Sequence, residues 1–261
     1  MDQKMLEALE RQRKPMSIAE EERLFRGILY GDFGAGKTSL AAEIVRVIGG
    51  DACWITTDSA WVVLDKFPDL QEKIHRLPYT GFSQLRSIAE AHDEGIEPYS
   101  KFKTLVWDTV STSTQNTLTK LVEKGEYFPQ QQLSRELEGY PQYRMAERGM
   151  TKTVEALRNS KLNIIFIAHV RLPNENDEKK GKYAIRPNMP EASYKVIAQE
   201  SQLIGYLHKP KKSDDRLLQV EGTLTEAAKS QIPTIPETTY KVESIPPLIQ
   251  QWMSGSYRTT N

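Results

Sequence analysis

Cysteine is nearly absent. Cys53 is the single one in 261 residues, which excludes an internal disulfide and any cysteine-built zinc site and agrees with a reducing compartment. It sits in the apolar run ACWITT, where a small buried hydrophobe is the expected reading. Long apolar runs are missing as well. NIIFIA, LVW and AWVVL fall far short of the roughly 18 residues that a bilayer-crossing helix needs, so no membrane span is expected. The opening MDQKMLEALERQRKP is charged and helix-forming, without the apolar centre of a signal peptide, and a cytoplasmic chain is expected from it. Charge of one sign is lacking too: 35 Lys and Arg balance 35 Asp and Glu. A nucleic-acid partner is therefore not announced by global charge, and any basic surface has to be local.

What is present is material for a layered α/β core, with 38% hydrophobic residues. Apolar runs set against turn residues predict a strand at about 24–30, a helix at 37–48, a strand at 52–58 and a helix from about 60. A strand at 73–78, a helix at 82–94, a strand at 103–108, a helix at 141–159 and a strand at 162–169 follow. Runs such as TLVW and NIIFIA are apolar throughout, as expected of parallel strands covered on both faces. SQLIGYLHK and RLLQVEG flank the turn-like PKKSDD and predict an antiparallel hairpin extending the sheet. The proline-rich stretch from Ser230 reads as an irregular strap ending in a short helix, LIQQW. The expected organisation is an N-terminal helical extension at 1–23, one domain at 24–250 and a tail at 251–261.

The stretch YGDFGAGKTSL puts three glycines in six positions between a predicted strand and a predicted helix. Gly31, Gly36, Lys37 and Thr38 satisfy G-x-x-x-x-G-K-[ST] in the context that this motif requires. Glycines let successive N–H groups turn inward, the helix N-terminus adds its dipole, Lys37 reaches the β and γ phosphates, and Thr38 offers a hydroxyl to Mg²⁺. Residues Gly31, Asp32, Phe33, Gly34, Ala35, Gly36, Lys37, Thr38 and Ser39 are thus expected to wrap a triphosphate, with ATP and Mg²⁺ as ligands. Asp108 closes the apolar run in FKTLVWDTVS and is the expected second holder of the metal; a turn or helix cap is the other reading. Thr109 follows it, so the Asp-Glu pair of AAA+ motors and many helicases is missing.

The ordered set GDFGAGKTS, WITTDSAW, TLVWDTVS, NIIFIAHVR, a polar loop and PEASYKVIAQESQLIGYLHK resembles the RecA-type ATPase core over roughly residues 24–250. It is most similar to compact phage-encoded RecA-like proteins associated with single-strand annealing. The resemblance implies a RecA-like P-loop fold, a mainly parallel sheet flanked by helices with a C-terminal antiparallel hairpin. It also implies a homo-oligomeric ring or filament, single-stranded DNA as a partner, an annealing or single-strand-binding protein as a further one, and a host cytoplasm. By residue, it implies that Asp58 is the catalytic base, where RecA has glutamate, with a helix cap as the alternative; should Asp58 not be the base, Glu43 or Asp65 is the next to test. His169 would contact the γ-phosphate, or else serve as an ordinary strand-end residue. Lys229 would reach the neighbouring subunit's nucleotide, Gln231 standing where relatives often place an arginine.

The loop after residue 170 holds Lys179, Lys180, Lys182, Tyr183 and Arg186, suited to phosphates and one stacked base, together with Glu175, Asp177 and Glu178, which fit a solvated loop instead. A second stretch, EKGEYFPQQQLSRELEGYPQYR, corresponds to the first DNA-facing loop of RecA-like proteins, with Tyr127, Phe128, Tyr140 and Tyr143 available to stack or to pack. Two other functions stay open on the sequence: a P-loop kinase of a small molecule, and a nucleotide-dependent scaffold or loader with little hydrolysis.

Overall fold

Along each central strand the side chains alternate between two apolar layers, which is why the runs are hydrophobic throughout. Leu29, Trp54, Val106, Ile165 and Ile167 face one layer; Ile28, Tyr30, Cys53, Ile55, Trp107 and Phe166 face the other. A computed structural model describes residues 23–57, 59–123, 135–172, 185–210, 213–223 and 226–256. The chain runs through β1 (Arg26–Gly31), α1 (Lys37–Ile48), β2 (Asp51–Thr56), β3 (Ile74–Pro78), α2 (Phe82–Asp93) and β4 (Phe102–Asp108). It continues with α3 (Val110–Glu123), α4 (Arg135–Asn159), β5 (Asn163–Arg171), β6 (Arg186–Pro187) and α5 (Glu191–Glu200). It closes with β7 (Leu203–His208), β8 (Leu217–Gln219), β9 (Lys229–Ser230), β10 (Thr239–Lys241) and α6 (Ile245–Ser254).

The strand order is β10-β8-β7-β1-β5-β4-β2-β3, with β6 on β5 and β9 on β7. The stretch from β7 to β3 is parallel, and β8, β9 and β10 join it antiparallel. Helices α1 and α6 cover one face, and α2, α4 and α5 cover the other. Cys53 is fully buried, and desolvation pushes its thiol up to about 12, so it behaves as a small hydrophobe. Among the described residues no helix is long and apolar enough to cross a membrane.

Most expected elements stand within a few residues of their predicted bounds, and 37–48 is helical as predicted. The segment after β2 is a 3-10 helix, Ser59–Lys66, rather than an α-helix. Two helices were not anticipated. In α3 the first turns read VSTSTQNT, hydroxyl-rich and poor in strong helix formers, yet the helix is fixed by packing on α4 and β5. Helix α5 lies between the polar loop and the strand expected from SQLIGYLHK, where no element was predicted, and α4 begins at Arg135 rather than near residue 141.

Candidate functional site

The carboxyl ends of four parallel strands form one row. Gly31 at the end of β1 is in register with His169 of β5. Asp108 at the end of β4 is in register with Ile167 of β5 and with Thr56 of β2. Strand β5 therefore stands between the glycine loop and Asp108, and carries His169 into the gap. Open α/β sheets place ligands at this edge.

Backbone sterics shape the loop. A Cβ on Gly31 would lie 2.1 Å from the Leu207 carbonyl oxygen, so only glycine lets β1 run this close to β7 before turning. Gly36 has φ 94° and opens α1, a conformation that favours glycine. No side chain caps α1, and its first turn holds no acidic residue, so the positive end of the helix faces the loop. Lys37 is buried and its Nζ donates to the carbonyl oxygens of Gly31 at 2.9 Å and Asp32 at 2.7 Å. Those acceptors belong to the loop itself, and a phosphate oxygen offers the same ammonium a charged acceptor.

The two residues expected to hold Mg²⁺ are in contact: Thr38 Oγ1 donates to Asp108 Oδ2 at 3.1 Å, and Asp108 is buried at 1% exposure. A hydroxyl, a carboxylate and incoming phosphates are the donor set that suits Mg²⁺, which keeps waters and needs few protein ligands. Thr57 donates its N–H to the Asp108 carbonyl at 2.9 Å, so the chain leaves β2 beside the site. Asp58, the expected base, lies outside the described residues. Of the other carboxylates considered, Glu43 is ion-paired with Arg46, and Asp65 lines a separate depression with Leu70 and Arg76.

His169 is positioned by α3, the helix that the sequence did not announce. Its N–H donates to Ser111 Oγ at 2.9 Å, and its Nε2 lies 3.5 Å from Thr112 Oγ1. Phe33 is 85% exposed and its ring sits 4.4 Å from the His169 ring. A cleft of about 280 Å³ is lined by Phe33, Lys37, Thr38, Asp108, His169 and Arg216, among others. Arg216 was not expected there. Only the tertiary pairing of β7 with β1 and of β8 with β7 brings it to a loop 180 residues earlier, and no local motif marks it.

The remaining expected residues are scattered. Lys179, Lys180, Lys182 and Tyr183, like Tyr127 and Phe128, lie outside the described residues. Arg186 is described: it stands on β6, opposite Arg171 of β5, with 14% side-chain exposure and Nη1 3.8 Å from Glu191 Oε2. Its charge is engaged at the start of α5. Lys229 on β9 pairs with Ile204, whereas Leu207 of the same strand pairs with Gly31. Three residues separate the two levels, about 10 Å along the strand, so Lys229 lies toward the far edge from its own phosphate loop. Its Nζ donates to the Ala198 carbonyl at 2.8 Å, and burial pulls its pKa below the ordinary lysine value, with Glu200 partly offsetting.

A glycine loop feeding an uncapped helix, a buried lysine within it, a Thr–Asp pair beside it and one strand interposed between them define a P-loop NTPase of RecA-like fold. The chain belongs to the family described as the AAA domain, whose model matches residues 24–232, and this membership implies nucleotide binding at the loop. Among solved structures it is similar to the RadB recombinase, at 13% identity over 75% of this chain and 79% of that one, with a TM-score of 0.43. It is also similar to the flagellar accessory protein FlaH from Methanocaldococcus jannaschii, at 10% identity over 79% of this chain and 82% of that one, with a TM-score of 0.39. No curated protein matches the sequence.

Proposed function

We propose that this chain is an ATPase that assembles into a ring or filament and binds single-stranded DNA in recombination or annealing. The observation that supports this most is the row of strand ends, with Lys37 and Thr38 at the first, His169 at the interposed second and Asp108 at the third. In this reading Lys37 leaves its loop carbonyls for the β and γ phosphates, Thr38 and Asp108 hold Mg²⁺, and His169 faces the terminal phosphate. Bound Mg²⁺ supplies charge neutralisation of the transferring group. Asp58 takes the proton of the attacking water. The position of Lys229 toward the far edge of its own sheet supports a role at a neighbouring subunit's nucleotide rather than at its own. DNA binding rests on Lys179, Lys180, Lys182 and Tyr183, since Arg186 is held by Glu191.

The test is ATP turnover by the purified chain with Mg²⁺, with and without single-stranded DNA. Asp108→Ala should keep measurable nucleotide affinity and lose Mg²⁺-dependent turnover by about 100-fold or more. Replacing the three loop lysines with alanine should lower the slope of log K against log salt by roughly 0.7 for each DNA phosphate that is no longer neutralised. Absence of ATP turnover under both conditions rejects the ATPase, and an unaltered salt slope removes the loop from the DNA site.

A further inference from the structure

Arg216 is an exposed arginine in an unusual electrostatic position. A Cβ built on Gly36 would meet its Nη1 at 2.9 Å and its Cδ at 3.2 Å, so the guanidinium lies against the backbone that opens α1. That is the positive end of a helix, in the same cleft as the Lys37 ammonium. A cation is disfavoured at such a place unless an anion joins it. The nearest acidic neighbours in sequence do not supply one: Asp214 pairs with Lys209 at 2.9 Å and Asp215 with Lys241 at 3.2 Å. Among the described residues the Arg216 guanidinium makes no hydrogen bond or ion pair. Its backbone is anchored, since the Val242 N–H donates to its carbonyl at 3.0 Å.

The position also says which part of an anion it faces. Beside the phosphate cleft, a groove of about 370 Å³ follows one side of α1 past Ser39, Leu40 and Glu43 to Pro246. Gly36, Ser39 and Arg216 line both spaces. Asp108 and His169, which in the nucleotide reading hold Mg²⁺ and face the terminal phosphate, line the cleft and not the groove. Arg216 therefore stands at the junction, on the side of the loop where a nucleotide leads away from its terminal phosphate.

We infer that Arg216 is a phosphate-binding residue in cis, gripping the diphosphate portion that ADP and ATP share, and acting as a ground-state anchor. A guanidinium suits this task because its planar fork can bond two phosphate oxygens at once. The inference rests on the nucleotide reading of the loop and adds to it a residue from the hairpin between β7 and β8.

The experiment compares binding of ADP and of a non-hydrolysable ATP analogue, by calorimetry, to the unmodified chain, Arg216→Ala, Arg216→Lys and Lys37→Ala. Arg216→Ala should weaken both nucleotides to the same extent, roughly 10- to 100-fold for the loss of charge-assisted bonds. Arg216→Lys should fall between, keeping the charge without the fork. The urea midpoint of the nucleotide-free variants should match that of the unmodified chain, which separates lost binding from lost folding. If Lys37→Ala loses nucleotide while Arg216→Ala binds ADP as well as the unmodified chain, the nucleotide reading stands and the inference falls. Loss of ATP-analogue affinity with ADP affinity intact overturns the diphosphate assignment. If the unmodified chain binds neither nucleotide, the underlying reading fails first.

Discussion

At the amino-terminal edge of the sheet, the Asn163 side chain accepts the Phe25 N–H at 2.7 Å and donates to the Lys103 carbonyl at 2.8 Å. The Arg26 N–H meets Gln202 Oε1 at 2.6 Å, and Arg26 Nη2 donates to the Ser160 carbonyl at 3.1 Å. These bonds join the starts of β1, β4, β5 and β7 to one another. At the carboxyl edge, Lys37 bonds carbonyls of its own loop and Thr38 bonds Asp108. At both edges these side chains find hydrogen-bond partners, as burial demands. The difference lies in the partners. Between separate strands a side-chain bond fixes register and packing, whereas within a glycine loop the same bond holds a charge where a stronger acceptor can take it.

Lys37→Ala breaks the comparison most sharply at the carboxyl edge. It should reduce ATP affinity by about 100-fold or more, as expected for losing charge-assisted bonds to two phosphates, while the urea midpoint without nucleotide changes little. Titration with a fluorescent ATP analogue checks the first and a denaturation curve the second. Retained affinity would place the phosphates elsewhere.

Asn163→Ala should do the reverse. Two bonds between strand starts disappear, leaving a buried N–H and a part-buried carbonyl without this partner, at a cost of about 2 kcal/mol. Urea denaturation should report that loss, with nucleotide affinity unchanged within about twofold for the folded protein. A fall in affinity larger than the fall in folded fraction would show that the two edges are not independent.

Lys229 gives the smallest effect on the isolated chain and tests whether one residue serves both purposes. Its pKa is lowered by burial, so the folded state releases this proton before the unfolded state does. Stability then rises as pH climbs through the folded value toward the ordinary lysine value, because the unfolded chain binds more protons there. Lys229→Met should remove that rise and the bond to Ala198, changing stability at neutral pH by about 1 kcal/mol. For the proposed role between subunits, mixing Lys37→Ala with Lys229→Ala chains should restore roughly a quarter of the turnover under random assembly. Co-assembled mixtures without recovery would leave Lys229 as a structural residue only.

The sequence by itself determined the elements whose signals are local. Gly31 to Ser39 declare a loop and a helix because glycine geometry and the lysine spacing act within a few residues. The continuous apolar runs around Trp54, Val106 and Ile165 declare strands covered on both faces. Asp108 and His169 were legible as polar residues ending such runs. Tertiary structure alone decided the rest. Helix α3 has weak intrinsic propensity and forms because α4 and β5 cover it, which then places Ser111 and Thr112 against His169. Arg186 turned inward to Glu191 once β6 paired with β5. Arg216 reached the phosphate loop, and Lys229 the carbonyl of Ala198, through strand pairings between segments far apart in the chain. A charged side chain's partner is set by which strands lie side by side, and that depends on burying the whole sheet rather than on any short stretch of sequence.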